Sequence, residues 1–420
     1  MNRQKQKINI LIRGAGFKNK GAEAMLLTTR HEISQRLKTA NFSALVSQNE
    51  IQTCKSHGIC PVVTRGSNSF SKPLFLAQCL WRHPKIFPVA ISSQNTAKQV
   101  LLVNNSDVIL DISGYAYGDS WGIGSTQRTL SIAAYCKAKG KPYLFLPQAW
   151  GTFSDQKLAE NVTQICKVSG LVYARDNHSL SYLMSISDSP ALHKEVVPDV
   201  AFKFKSEKSQ VGSEILEKYG IDLKNKSLIG IVPNEQIFRR VSGNGNNNQY
   251  IEAMIRMVNY CIEELGAIAV LMPHHIARPG DSKTGDLPLC ALIRDGVKDK
   301  KCCVSLDKDY SAATIKAIIG QLDLLVTSRY HSLIAALSNK IPVVAIGWTH
   351  KYPELLGLFG MEEYSIDFTE LNKIPFLDIL KKAWVSRNDN HQRIRKYLPS
   401  IEQKIDVMFD NVVRLIRKHL

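Results

Sequence analysis

The stretch TSRYHSLIAALSNKIPVVAIGWTHK, Thr327 to Lys351, packs a strand end, a charged turn, an apolar helix and a second strand into one short unit. Just before it, Asp323-Leu-Leu-Val-Thr327 has the composition of a short buried strand. Ser332-Leu-Ile-Ala-Ala-Leu337 reads as an apolar helix too short to stand alone, and Ile341-Pro-Val-Val-Ala-Ile346 as a second buried strand. This is a βαβ unit, and such units bind ligands at the carboxyl ends of their strands, where the helix N-terminus also points. Arg329 and His331 occupy that turn. A guanidinium that keeps its charge, beside an imidazole that titrates near neutrality, suits an anionic ligand that must also receive a proton: Arg329 would hold and His331 would donate. The same residues would serve a purely structural turn if Arg329 paired with an acidic neighbour and His331 capped the helix.

Upstream, the same rhythm recurs. Ser227-Leu-Ile-Gly-Ile-Val-Pro-Asn234 is a strand, followed by a polar loop from Arg239 to Asn248 and a helix over 249–265 whose apolar stripe is core. A strand from Ala267 to Met272 ends in Pro273-His274-His275, with Arg278, Asp281 and Lys283 just beyond. Asn234, His274 and Arg329 each end a parallel strand and are expected to converge, with His274, His275 and Arg278 as further anion contacts. After the strand of Ile341–Ile346, Gly347-Trp-Thr-His-Lys351 adds positive charge at a helix start, making Lys351 a candidate contact.

The first half has its own βα repeat. Ile8–Ile12 is a strand, and RGAGFKNKGAEAM (Arg13–Met25) is a glycine-bearing turn that opens a helix. Gly14 and Gly16 let backbone approach a ligand, and Lys18 and Asn19 are candidate contacts in the same loop. The spacing matches neither the Walker loop nor the dinucleotide fingerprint. A strand at Val108–Ile112 runs into a loop holding Asp111, Tyr115, Tyr117, Asp119 and Trp121, the mix of rings and acids that suits a sugar. A helix over Ser125–Lys139 leads to Pro142-Tyr-Leu-Phe-Leu-Pro-Gln148-Ala-Trp, with Gln148 near a strand end. Helix 156–168, strand Leu171–Ala174 and a last short strand at Val196–Phe202 complete this half. The expected domains are 1–205 and 206–385, with a helix in 386–420 that opens at Pro399-Ser400 and packs across the domains.

Length and composition set limits on all this. A chain of 420 residues, 44% hydrophobic and 22% charged, is expected to form two globular domains. A net charge of +17 calls for acidic partners. No zinc-finger spacing, RNP-like motif or long basic run is present, so nucleic acid is not expected. Nine scattered cysteines fit reduced thiols of the cytoplasm, and neither Cys54/Cys60 nor Cys302-Cys303 has the second half of a zinc site. No apolar run approaches the roughly 18 residues of a membrane span, although the basic amphipathic terminal helix would allow peripheral contact with the inner face of the cell membrane.

Read in order, RGAGFKNKGAEAM, DISGYAYGDSWG, LPQAWGTF, YARDNHS, PDVAF and SRYHSLIAALSNKIPVVAIGWTHK resemble the polysaccharide pyruvyl transferases over about residues 8–360. The resemblance implies an α/β fold of two Rossmann-like domains facing a cleft, as in GT-B glycosyltransferases. It also implies phosphoenolpyruvate as donor and a sugar of a cell-surface polysaccharide, or of its lipid-linked precursor, as acceptor. Its Arg-x-His turn maps onto Arg329 and His331, implicated in donor binding and catalysis. The chemistry agrees: a pyruvate ketal needs a proton donor (His331), an anion clamp (Arg329) and a base for the attacking hydroxyl, for which Asp111 and Asp119 are candidates. No cofactor or metal is called for. A nucleotide-sugar glycosyltransferase, or a non-catalytic polysaccharide-assembly protein, would use the same architecture.

Overall fold

The computed structural model describes residues 7–63, 102–243, 245–277, 285–371 and 376–419. The chain divides into two compact units: 1–17, 25–200 and 404–420 form the first, 18–24 and 201–403 the second.

In the first unit the described strands are β1 (Ile8–Arg13), β2 (Ala40–Val46), β3 (Ile59–Val63), β4 (Val108–Asp111), β5 (Tyr115–Tyr117), β6 (Tyr143–Trp150) and β7 (Leu171–Ala174). They form a parallel sheet in the order β3-β2-β1-β4-β6-β5, with β7 also on β6. Strands β4 and β6 are buried along their whole length, which is why they read as near-continuous apolar runs. The helices are α1 (Lys20–Arg36), whose first turn belongs to the second unit, α2 (Ile51–Ser56), α3 (Ile123–Ala138), α4 (Gln156–Val168) and α5 (Asn177–Ile186). Asp155 and Asp176 cap α4 and α5 by accepting from Leu158 N and Ser179 N. Behind the sheet, Trp150 stacks on Tyr117 at 5.0 Å, with Phe145 edge-on to both.

In the second unit β8 (Leu228–Val232), β9 (Ile268–Leu271), β10 (Cys303–Ser305), β11 (Leu324–Thr327), β12 (Val343–Gly347) and β13 (Ser365–Asp367) run parallel in the order β10-β9-β8-β11-β12-β13. That order reverses between β8 and β11, the switch point of a doubly wound sheet, where ligand crevices open at the strand ends. Its helices are α6 (Ser209–Lys218), α7 (Glu235–Phe238), α8 (Gln249–Glu263), α9 (Leu287–Gly296), α10 (Ala312–Ile319), α11 (Tyr330–Ser338), α12 (Lys351–Gly357) and α13 (Phe376–Val385). A long helix, α14 (Arg387–Lys418), counts with the second unit up to Gln403 and with the first from Lys404. Among the described residues no helix is long and apolar enough to cross a membrane.

Two local expectations fail. The segment Val196–Phe202 is not a strand, because Pro198 has no N–H for a ladder; it ends in a 3-10 turn at Val200–Lys203 and delivers Asp199 to Arg175, 2.7 Å away and buried. The terminal helix does not open at Pro399 but runs through it from Arg387, and the Ser400 hydroxyl donates to the Tyr397 carbonyl at 2.8 Å instead of capping. Strands β3, β5, β10 and β13 are additional to those read from the sequence, β5 lying where a loop was expected.

Candidate functional site

Strand β11 and helix α11 are joined by Ser328 and Arg329, and the turn is fixed from within. Thr327 Oγ1 accepts from Arg329 N at 2.9 Å, and the Ser332 hydroxyl donates to the Arg329 carbonyl at 2.8 Å. Ser328 is fully buried; its carbonyl accepts from Asn234 Nδ2 at 2.7 Å and from the Tyr352 hydroxyl at 2.8 Å. Tyr250 donates to the Ser328 hydroxyl at 2.8 Å, so β8, α8 and α12 all brace this backbone. Asn234 also caps α7 by accepting from Gln236 N at 2.9 Å, so its amide is spent on the frame of the site.

Arg329 is not an open anion clamp. Its Nε donates to Asp286 Oδ2 at 3.0 Å and its Nη2 to Asp286 Oδ1, leaving Nη1 outside the pair. Asp286 is 0% exposed and also accepts from the backbone of Glu235, His274 and His275 at 3.2, 3.2 and 2.8 Å. A carboxylate fixed by so many donors holds the guanidinium in one plane. The acidic neighbour weighed from the sequence is therefore real, and it lies in the loop after β9.

His331 is the second residue of α11, and its ring lies against Gly21: a Cβ at Gly21 would stand 2.0 Å from Nδ1. With Lys20, His274 and Lys316 it lines a small cavity of about 20 Å³, otherwise walled by Ala24, Ala201, Phe204, Ala312, Ile315 and Ala335. Lys20 is 5% exposed and pairs with Asp309 at 2.6 Å. His274 is 6% exposed; burial first, then the charges of Arg329, His331 and Lys20, hold its pKa well below the ordinary 6.5. It is thus a neutral ring near neutral pH. His275, half-buried, is lowered too, by burial and then Arg329, with Asp286 and Glu235 opposing.

Of the other expected contacts in this unit, Lys18 and Asn19 are exposed, and Asn19 Oδ1 accepts from Gly21 N at 2.8 Å, starting α1. Lys351 is buried with its ammonium 5.5 Å from the centre of the Trp348 ring. Arg278 lies outside the described residues, as do Asp281 and Lys283.

In the first unit, Asp111 is a hub of the interior. It is 0% exposed and accepts from the Tyr143, Tyr117 and Ser113 hydroxyls at 2.5, 3.0 and 2.6 Å, from Gln148 Nε2 at 3.1 Å and from Arg13 at 3.5 Å. Burial above all holds both phenols protonated as donors. A carboxylate so saturated cannot take a proton from a sugar hydroxyl without abandoning a partner, and Gln148 is buried in the same network. Tyr117 is core for the same reason. Asp119 faces the loop surface and accepts from Thr152 Oγ1 at 2.5 Å and Ser154 N at 3.0 Å; burial opposes, but these bonds outweigh it and lower the pKa, which makes a weak base. Trp121, 56% exposed, stands edge-on to Tyr115 at 6.3 Å, an accessible aromatic pair. Gly14 (φ +88°) packs on Ser113, where a Cβ would come within 2.0 Å, and Gly16 on Glu50 at 3.2 Å, so both serve close backbone approach.

Lys20, Asp286 and Lys316 were not singled out as site residues. Lys20 carries a local signal, its place in the glycine turn. Asp286 and Lys316 carry none, since one follows a polar loop and the other sits on an apolar helix.

Solved structures share this architecture. UDP-GlcNAc 2-epimerase from Methanocaldococcus jannaschii superposes with a TM-score of 0.57 at 11% identity, covering 90% of this chain and 93% of that one. Anabaena HepE in complex with UDP gives 0.58 at 12% identity, covering 98% and 100%. UDP-GlcNAc 2-epimerase from Neisseria meningitidis, bound to UDP-GlcNAc, gives 0.55 at 11%, covering 95% and 99%. At such identities the likeness establishes the GT-B-like fold. The family description "Polysaccharide pyruvyl transferase" matches residues 19–350, which include the α1 turn, both histidines and the Arg329 turn. Well over half the chain lies within that match, and the protein belongs to the polysaccharide pyruvyl transferase family.

Proposed function

We propose that the protein transfers the enolpyruvyl carbons of phosphoenolpyruvate to two hydroxyls of a saccharide, forming a pyruvate ketal and releasing inorganic phosphate. The observation that carries this reading is the cavity at the start of α11, where His331 meets Lys20, His274 and Lys316 beside the Arg329–Asp286 pair. A trianionic donor that must be protonated on carbon needs cations around it and an acid within reach. His331 gives its proton to the methylene carbon, and the first sugar hydroxyl adds to the adjacent carbon, losing its own proton. The C–O bond to phosphate then breaks, and the second hydroxyl closes the ring, its proton passing to the departing phosphate. Neutral His274 accepts or passes a hydrogen bond without competing as an acid, and Arg329, oriented by Asp286, turns Nη1 to the anion. Trp121 and Tyr115 offer flat faces to a pyranose. Asp119 is the remaining carboxylate candidate for the hydroxyl proton. The acceptor is a polysaccharide unit or its precursor, which a lipid carrier would bring to the inner membrane face.

The shared fold of the UDP-bound neighbours supports one competing reading, transfer from a nucleotide sugar. Thermal-shift titration separates them, because a ligand that binds only the folded state raises the melting temperature. Stabilisation by phosphoenolpyruvate, retained in His331→Gln while turnover falls by about 10²–10⁴, is the expected result. Stabilisation by UDP-sugars alone overturns the pyruvyl reading.

A further inference from the structure

The cavity beside His331 is small: about 20 Å³ accommodates one water-sized polar group, such as a single carboxylate oxygen. Its charges are also unevenly matched. Lys20 has Asp309 at 2.6 Å and Glu23 at 3.9 Å; Arg329, behind it, has Asp286; His274 is held neutral by burial. Lys316, on the buried face of α10, is the exception. It is 5% exposed, and its ammonium donates to the carbonyl of Phe204, one neutral acceptor for three N–H groups. Glu402 acts on it through space. A buried cation with a single carbonyl partner among the described residues is costly, and an arriving anion removes that cost.

We propose that Lys316, with Lys20 and His274, forms a carboxylate subsite next to His331 that seats the carboxylate end of an enolpyruvyl donor and leaves its phosphate outside. This inference rests on the pyruvyl-transfer reading for the donor's identity but not for the subsite itself. Its consequence is orientation. With one end of the donor fixed in the cavity, the vinyl carbons are held beside the His331 ring, and a phosphate monoester lacking the carboxylate gains nothing from Lys316.

The groups facing Lys316 are Lys20 from α1, His274 from the end of β9, His331 from α11 and Glu402 from α14. Burial lowers the Lys316 ammonium to about 8, with Glu402 opposing, so it is a cation at neutral pH and neutral in moderate alkali. The affinity it confers on a carboxylate is present below that value and fades as pH rises through it.

Calorimetric titration of the full chain with phosphoenolpyruvate, oxalate and inorganic phosphate tests this in the wild type and in Lys316→Met, a swap of similar length without charge. Oxalate and phosphoenolpyruvate should each lose about tenfold or more in affinity in the variant, with phosphate unchanged. Oxalate and phosphoenolpyruvate affinities in folded Lys316→Met that equal those of the wild type overturn the subsite. Should that variant not fold, the wild type decides: oxalate affinity should fall between about pH 7 and about pH 9.5, and a flat profile overturns the proposal. If the wild type binds oxalate through Lys316 but not phosphoenolpyruvate, the pyruvyl reading falls and the subsite stands. If it binds neither, both fall.

Discussion

Asp286 and Arg329 illustrate how a site's cation is made rigid before it is made useful. Asp286 is buried and Arg329 partly so, and the carboxylate also collects three backbone N–H groups, so removing its charge strands both a guanidinium and a loop. Asp286→Asn should cost about 3–5 kcal/mol, read as a lower urea midpoint; a loss below about 1 kcal/mol would mean that the pair is dispensable. Gly21 is constrained more simply, because its Cβ would meet the His331 ring at 2.0 Å. Gly21→Ala should displace that ring and reduce the proposed ketal-forming activity by about 10² while leaving the melting temperature within a few degrees. For Lys316 the folded value is near 8 against an ordinary 10.5, so between these the unfolded chain binds the extra proton. Stability should therefore rise with pH across that window, by up to about 3 kcal/mol, and Lys316→Met should flatten the rise. A profile that is the same in both proteins would place the shift elsewhere.

Among the elements, α8 is held at its start by a single asparagine. Asn248 is fully buried; its Oδ1 accepts from Tyr250 N at 3.1 Å, and its Nδ2 reaches the carbonyls of Phe238, Val241 and Gly243 at 3.1–3.2 Å. One residue thus caps the helix and closes the glycine-rich loop before it. Asn248→Ala should cost about 2 kcal/mol, and hydrogen exchange should quicken in the backbone from Arg239 to Gln249 ahead of the rest of the unit. The βαβ element at β11–α11–β12 was readable because its cues are local: two β-branched runs, a short apolar helix and a charged turn between them. Segment Val196–Phe202 misled because its apolar pattern is a strand's, while Pro198 forbids the ladder. Pro399 misled in the opposite way, since packing on both sides of it carries the helix through.

On the scale of the whole molecule, the last turns of α14 complete the core of the first unit. Ile405, Met408, Phe409, Val412 and Ile416 are buried, and Arg36 joins Glu32, Asp406 and Asp410 at 2.5–2.6 Å with its guanidinium 5.7 Å from the Phe409 ring. Ending the chain at Gln403 should bare that apolar face and give aggregated protein in size-exclusion chromatography. Arg36→Ala, which leaves the apolar stripe intact, should stay monodisperse and lose about 1–2 kcal/mol.

The sequence by itself determined the α/β class, the doubling of the βα pattern and the βαβ element around the Arg329–His331 turn, because period, propensity and capping act over a few residues. Only the tertiary structure decided that Arg329 is matched by Asp286, 43 positions earlier in the chain, that Asp111 is a saturated hub, and that Lys20 and Lys316 turn inward beside His331. The physical reason is that a side chain's role follows from who supplies its hydrogen bonds and how much water it keeps. Both are set by residues distant in the chain, which a parallel sheet brings together at its strand ends.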